Sequence, residues 1–405
     1  MRPSSSSSDP AENGASGLFD AVNGRGAVPG LVSDSAYLQA MLDVEAALAR
    51  AEAQTGLIPI EHEEAIAAAC QAGRFDVSEL GRAAAAAGNP VVPLVEQLRD
   101  AVGGEAAASV HAGATSQDII DTATMLVARG ALTAIAADLD AAGDAAAGLA
   151  TEHAQTVMAG RTLLQQALPT TFGAKAAGWV SGIDDAADLL DSVRHRRLAV
   201  QLGGGAGTLA ALHPHGPEVV RLLAEELGLT APAMPWHTNR SRISELAGAL
   251  GVTAGALAKP ARDVTLLAQT EIGEVREGVP GRGGSSAMPH KRNPVAAVAT
   301  LANTTQAPGL VATLLTATSG HDHERAAGAW HAEWHPLREL FIAVGSAAAW
   351  LADCLTHLEV DPGRMRANIG PDVEKYLDPP DYLASTADII AAALQRHTTR
   401  RETSA

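Results

Sequence analysis

Three stretches of this chain, about 116–152, 164–200 and 240–277, carry apolar residues at helical spacing with few internal breakers. Each exceeds the usual globular helix, so together they point to an extended helical bundle. Alanine is frequent and aromatic residues make up only 3%. Such small side chains let helices approach closely. Before these stretches, Leu38, Met41, Leu42, Val44 and Leu48 predict a helix over Ser35–Ala53, with Asp34 or Ser35 as its N-cap. Short helices are expected over 60–72, 77–87 and 91–102, until Gly103-Gly104 breaks the pattern. Later helices are expected over 294–317 and about 322–357. Beyond 361 only short ones are expected, punctuated by Pro371, Pro379 and Pro380. No strand-like alternation persists and no internal repeat emerges, so the expected fold class is all-α.

The pattern divides the chain into a disordered tail (1–16), an N-terminal helical domain (17–110), a long-helix bundle (111–357) and a short C-terminal helical region (358–405). The formal net charge of −17 argues against nucleic-acid binding, which calls for a basic face. It also means that an anionic substrate needs a locally positive pocket. Cys70 and Cys354 lie far apart in apolar helical patterns, which suits a reducing cytoplasm better than a disulfide framework. No apolar stretch follows Arg2, so no signal peptide is expected. The sequence holds no charge-free run of about 18 apolar residues, so no membrane span is expected either. Helices of this kind carry apolar residues on several faces, more than one chain can cover, and oligomerisation follows.

Residues 283–294, Gly-Gly-Ser-Ser-Ala-Met-Pro-His-Lys-Arg-Asn-Pro, hold the densest chemistry. Two glycines, two hydroxyls, a basic cluster and an amide can fold backbone N–H groups and cations around an anion. Pro289 and Pro294 fix the backbone on both sides of the charges. Upstream, Glu277-Gly-Val-Pro-Gly-Arg-Gly-Gly284 is rich in Gly and Pro, as in a mobile lid. A second constellation, His111-Ala-Gly-Ala-Thr-Ser-Gln-Asp-Ile-Ile-Asp121, opens the first long helix, where hydroxyls and free N–H groups can hold a carboxylate. Plain capping by Thr115 or Ser116, with Asp118 favouring the helix dipole, explains the same residues.

The run 283–294 resembles the signature of the fumarase/aspartase superfamily, and the likeness extends from about Leu18 to Asn368. The resemblance implies a three-part all-α fold, a homotetramer with a central twenty-helix bundle, and active sites that each draw on three subunits. It makes Ser285 the general base with Ser286 as neighbour. Lys291 and Asn293 become ligands of the carboxylate that bears the developing charge, and His290 lies in the same run. A serine alkoxide needs offsetting N–H donors and positive charge. By the same resemblance Thr115 and Ser116 are substrate-carboxylate ligands, His111 is a pocket residue and Arg325 in His321-Asp-His-Glu-Arg325 meets a second carboxylate. Gln165, Gln166 and Gln201 join them as candidate substrate ligands.

The segment Gly160-Arg-Thr-Leu-Leu-Gln-Gln166 departs from the family pattern. Fumarate-forming relatives such as argininosuccinate lyase carry a histidine after the Arg-Thr pair, and some cycloisomerases carry one three positions later. Here those places hold Leu163 and Gln166. An amine leaving group calls for general acid catalysis, worth roughly 10²–10⁴-fold. A carboxylate leaves unaided. Leu163 therefore favours the cycloisomerase branch, which interconverts an unsaturated tricarboxylate and a lactone. Another residue such as His111 supplying the acid is the competing explanation. The alternative is a β-eliminating lyase forming fumarate, for instance with release of nitrite. A non-catalytic protein, like the lens crystallins on this fold, is a third reading that intact Ser285, Lys291 and Asn293 oppose. The substrate is expected to be a small polycarboxylate, with no cofactor, nucleic acid or membrane as partner. His321, His323 and His331 invite a metal reading, but this chemistry requires none. The glycine run 203–207 lacks the preceding strand of a dinucleotide loop.

Overall fold

Ser33, rather than Asp34 or Ser35, caps the first long helix, α1 (Asp34–Gln54). Ser33 keeps an extended backbone, and its hydroxyl accepts from the Ala36 N–H at 3.2 Å. The structure, a computed structural model, describes residues 17–378 and 381–404. The tail expected over 1–16 lies outside them. Helices α2 (Ile60–Ala69), α3 (Val77–Ala87) and α4 (Val91–Val102) follow, the last two with the expected bounds. Helix α2 stops short of 72 because Cys70 leaves the helical region at ψ 63°.

The bundle begins with α5 (Ser116–Glu152), which spans the range read from the sequence. The helix expected over 164–200 starts late. Strands β1 (Val157–Thr162) and β2 (Gln165–Thr171) form an antiparallel hairpin, and only then does α6 (Phe172–Arg196) begin, capped by the Thr171 hydroxyl. The hairpin exists because one face, at Ala159 and Val157, packs on Ile369 and Val373, a contact too distant in sequence to read locally.

After a short helix, α7 (Gly216–Leu227), comes α8 (Ser241–Leu267). It ends ten residues before the expected 277, where the chain turns into strand β3 (Val275–Glu277). Helices α9 (Val295–Thr318) and α10 (Ala329–Thr356) complete the bundle. Strand β4 (Leu358–Val360) pairs with β3. The C-terminal region also differs from expectation, since α11 (Ala384–Ser404) is 21 residues long. Its side chains dock by charge: His397 bridges Asp144 and Asp184 at 2.9 Å each, and Arg400 reaches Asp184 and Asp140. The fold is otherwise the expected helical one, with two small two-stranded sheets among the described residues.

By length and composition α5 and α10 could cross a membrane, contrary to the sequence expectation, yet 67% and 72% of their apolar windows are buried inside the fold. They are the inner helices of the bundle.

Side-chain ties fix the helix directions. At one end Trp330 Nε1 donates to Asp121 at 3.0 Å, Arg240 pairs with Asp121, and Ser244 meets Thr318 at 2.8 Å. Helices α5, α8 and α10 therefore start at this end, and α9 finishes there. At the other end the Gly278 N–H donates to His357, Arg282 pairs with Asp353, and Glu277 accepts from the first N–H groups of α9, at Ala296 and Ala297. Arg161 clasps buried Glu274 there through both terminal nitrogens, holding the hairpin in place.

Candidate active site

The sequence-predicted residues fall into two groups at opposite ends of the bundle. Helix α10 alone puts about 30 Å between Glu333 at one end and Asp353 at the other, at 1.5 Å per residue.

At the end where α5 starts, Asp118 is the organiser. Its carboxylate reaches back to the Thr115 N–H at 3.0 Å, as a first-turn acid does for a helix start. It also accepts from the Gly204 N–H at 2.9 Å and meets His237 Nε2 at 2.6 Å. Gly204 has φ +69°, and a Cβ there would lie 2.8 Å from the Gly113 carbonyl. The glycine run is thus what lets this loop press against the segment 111–115. The Gly204 carbonyl in turn accepts from Arg325 Nη2 at 2.6 Å. Arg325 thereby stands beside Thr115 and Ser116, with its pKa lowered by burial despite nearby Asp118 and Asp121. His111 is held by Glu45 at 2.7 Å. The structure therefore brings His111, Thr115, Ser116 and Arg325 together.

Gln201 does not join them as a ligand. It is fully buried, its Oε1 accepts from the Trp236 N–H at 2.8 Å, and its Nε2 faces Asp121 at 3.5 Å. The amide supports the wall behind the site instead. Beneath it, buried Arg240 binds Asp121 and Glu333 together. Burial opposes that charge, and the two carboxylates outweigh it, so the arginine stays cationic. The three histidines of 321–331 do not converge: His321 bonds Glu333, His331 meets the Gly88 carbonyl, and His323 offers its backbone carbonyl to Thr238.

At the far end the loop 283–294 is exposed over most of its length. Its base is shut by Asn293, whose backbone N–H and Nδ2 both donate to the Gly283 carbonyl, at 2.8 and 3.0 Å. Gly283 must be glycine, because with φ +73° a Cβ would sit 2.2 Å from the Asn293 carbonyl. Asn293 is thus placed as a clasp of the loop, a role its expected contact with a carboxylate does not cover. Ser285 Oγ accepts from the N–H groups of Met288 and Ala287 at 3.2 and 3.4 Å. This is the donor arrangement that a serine oxyanion needs. Ser286, His290 and Lys291 are exposed on the same loop.

The hairpin occupies this end too. The Gln166 Nε2 donates to the Asn368 carbonyl at 2.8 Å and its Oε1 accepts from Gly370 at 2.9 Å, tying the hairpin to the C-terminal region. Gln165 is exposed beside it. Leu163 and Leu164 form the tip with φ +51° and +66°, and they are 97% and 73% exposed. Sequence reasoning missed the parts played by Glu45 and His237. An acid inside the apolar run Met41–Ala49 was the available signal for Glu45, whereas nothing near His237 announced its partner.

The sequence profile of the lyase family matches residues 25–309. The 3-carboxy-cis,cis-muconate cycloisomerase of Bradyrhizobium diazoefficiens is 50% identical over 340 residues, covering 83% of this chain and 75% of that one. The nitrosuccinate lyase of Streptomyces davaonensis is 46% identical over 366 residues, covering 87% and 77%. Among solved structures, the 3-carboxy-cis,cis-muconate lactonizing enzyme from Pseudomonas putida superposes with a TM-score of 0.86 at 38% identity, covering 95% of this chain and 99% of that one.

Proposed function

The chain belongs to the fumarase/aspartase superfamily of lyases, and on that premise we propose that it interconverts 3-carboxy-cis,cis-muconate and 4-carboxymuconolactone. In the lactone-forming direction one substrate carboxylate adds across a double bond. The electron pair moves onto the carbon alpha to another carboxylate, and Ser285 delivers a proton there. In reverse Ser285 takes that proton, the lactone C–O bond breaks and a carboxylate departs. The charge-rich intermediate needs cations and N–H dipoles. Lys291 on the loop, with Arg325 and the N-terminus of α5 at Thr115 and Ser116, would supply them.

What carries the reading is the pairing of an intact Ser285 loop with a hairpin tip, Leu163, that has no proton to give. Nitrite is also a leaving group that needs no acid, so the likeness to a nitrosuccinate lyase supports a second reading: elimination from a four-carbon nitro-acid. Incubation of the protein separately with carboxymuconate and nitrosuccinate, following absorbance and nitrite, separates the two. Turnover of nitrosuccinate alone would overturn the first reading.

The two halves of the site lie too far apart to meet in one chain, so the working enzyme would be a homotetramer with shared sites. Exposed Leu163 and Leu164 support this. So does α9, a 24-residue helix with no charged residue and with Val298 and Leu315 about half exposed. The compartment proposed is a reducing cytoplasm, where the buried, unpaired thiols of Cys70 and Cys354 persist.

A further inference from the structure

Two carboxyl groups on α1 are buried beside the Thr115–Arg325 end of the site, and the proton transfer at Ser285 uses neither. Glu45 is 1% exposed. Its Oε1 meets His111 Nδ1 at 2.7 Å, and its Oε2 has no hydrogen-bond partner among the described residues. Glu52, two turns further along the helix, has no hydrogen-bond partner among the described residues on either oxygen. Burial and the neighbouring Glu45 push its pKa up to about 8, so it is uncharged at neutral pH.

His111 itself has φ +61°, a conformation that a residue with a side chain rarely adopts. With Nδ1 given to Glu45, Nε2 is the free polar atom of the ring and makes no hydrogen bond among the described residues. The ring keeps 15% of its side-chain surface accessible. Glu45 therefore decides what Nε2 offers. The Nδ1 proton donates to the carboxylate, so a neutral ring would present a lone pair at Nε2 and repel an anion. A protonated ring would present an N–H.

The charged groups around the ring come from three helices. Burial, the largest single influence, opposes protonation, Glu45 on α1 and Asp118 on α5 favour it, and Arg99 on α4 opposes it. The net effect is a raised pKa. Glu52, being neutral, adds no second negative charge beside the ring.

We propose that Glu45 is a positioning residue for the reaction: it holds His111 as an imidazolium whose Nε2–H binds a substrate carboxylate beside Thr115 and Ser116. This rests on the reading of that end as the carboxylate-binding half of the site.

The test uses the full-length enzyme, labelled with ¹³C at histidine Cε1, with the His111 signal assigned by its loss in His111→Gln. In the wild type His111 is expected to titrate above the ordinary histidine range. A midpoint at or below that range overturns the proposal without any further variant. Glu45→Gln keeps the volume and removes the charge. It should lower the His111 midpoint, move the alkaline limb of kcat/KM down, and cut kcat/KM at pH 8 about tenfold, as expected for losing one opposite charge at this distance. Most of that loss should lie in KM. Glu45→Asp should recover both the midpoint and the limb. An unmoved titration in Glu45→Gln, or an equal activity loss at every pH with the limb in place, would mean that Glu45 is only structural. If the His111 midpoint shifts as stated while the wild type turns over no carboxymuconate, the substrate assignment fails and the Glu45–His111 pair stands.

Discussion

Two variants, each inactive alone, should restore activity when their chains are mixed. Ser285→Ala removes the proposed proton-transfer group at one end of the bundle, and Arg325→Ala removes a cation at the other. The ends are separated by about 30 Å of α10. Loop motion cannot close that gap, because Gly283 and Asn293 shut the loop at its base. On the shared-site proposal, a working site takes its loop from one copy and its arginine from another. If the variants are unfolded together in urea at equal concentration and refolded, subunits assemble at random. Each site receives an intact loop half the time and an intact arginine half the time, so about a quarter of the wild-type specific activity should return. Each variant refolded alone is the control, with refolded wild type setting the scale. A mixture no more active than either variant would refute the shared-site reasoning, since a site built within one chain gains nothing from mixing.

Glu52 should make the fold lose stability as the solution turns alkaline. Its pKa rises from 4.5 to about 8 on folding, which corresponds to about 5 kcal/mol of tighter proton binding. That contribution is fully present below pH 4.5 and is lost as pH rises through about 8. Glu52→Gln should flatten the fall in melting temperature between pH 5 and 8, and an unchanged slope would show that Glu52 is ionised in the fold. Arg240→Met leaves Asp121 and Glu333 buried without their cation, so urea denaturation should show a loss of about 3–5 kcal/mol. Ser285→Ala should abolish turnover yet keep the wild-type elution volume on gel filtration, because among the described residues Ser285 bonds only within its own loop.

Most of the bundle was legible because its helices bury apolar residues at regular spacing. Helix α5 appeared with its bounds intact, and α8, α9 and α10 ran through Pro260, Pro308 and Pro336 as packing against neighbours allows. Elements held by other forces were harder to read. The hairpin Val157–Thr171 depends on contact with Ile369 and Val373, and its tip takes left-handed backbone at two leucines that give no turn signal. Helix α11 docks through Arg400, His397 and the aspartates of α5 and α6, so its apolar pattern is thin. Within the site, the residue types of loop 283–294 pointed to a turn of N–H donors, and Ser285 Oγ accepts from two of them. The backbone contacts of Gln166 and Gln201 were not legible, because a glutamine binding backbone looks the same in sequence as one binding substrate.

The central claim is that Ser285 moves a proton at the carbon alpha to a carboxylate while a carboxylate, unaided, adds or leaves. Running the lactonisation in D₂O and locating deuterium in the product by NMR addresses it directly. The account predicts one deuterium at that carbon for the wild type and no labelled lactone from Ser285→Ala. Lactone formed without deuterium there, or labelled lactone from Ser285→Ala at the wild-type rate, would contradict it.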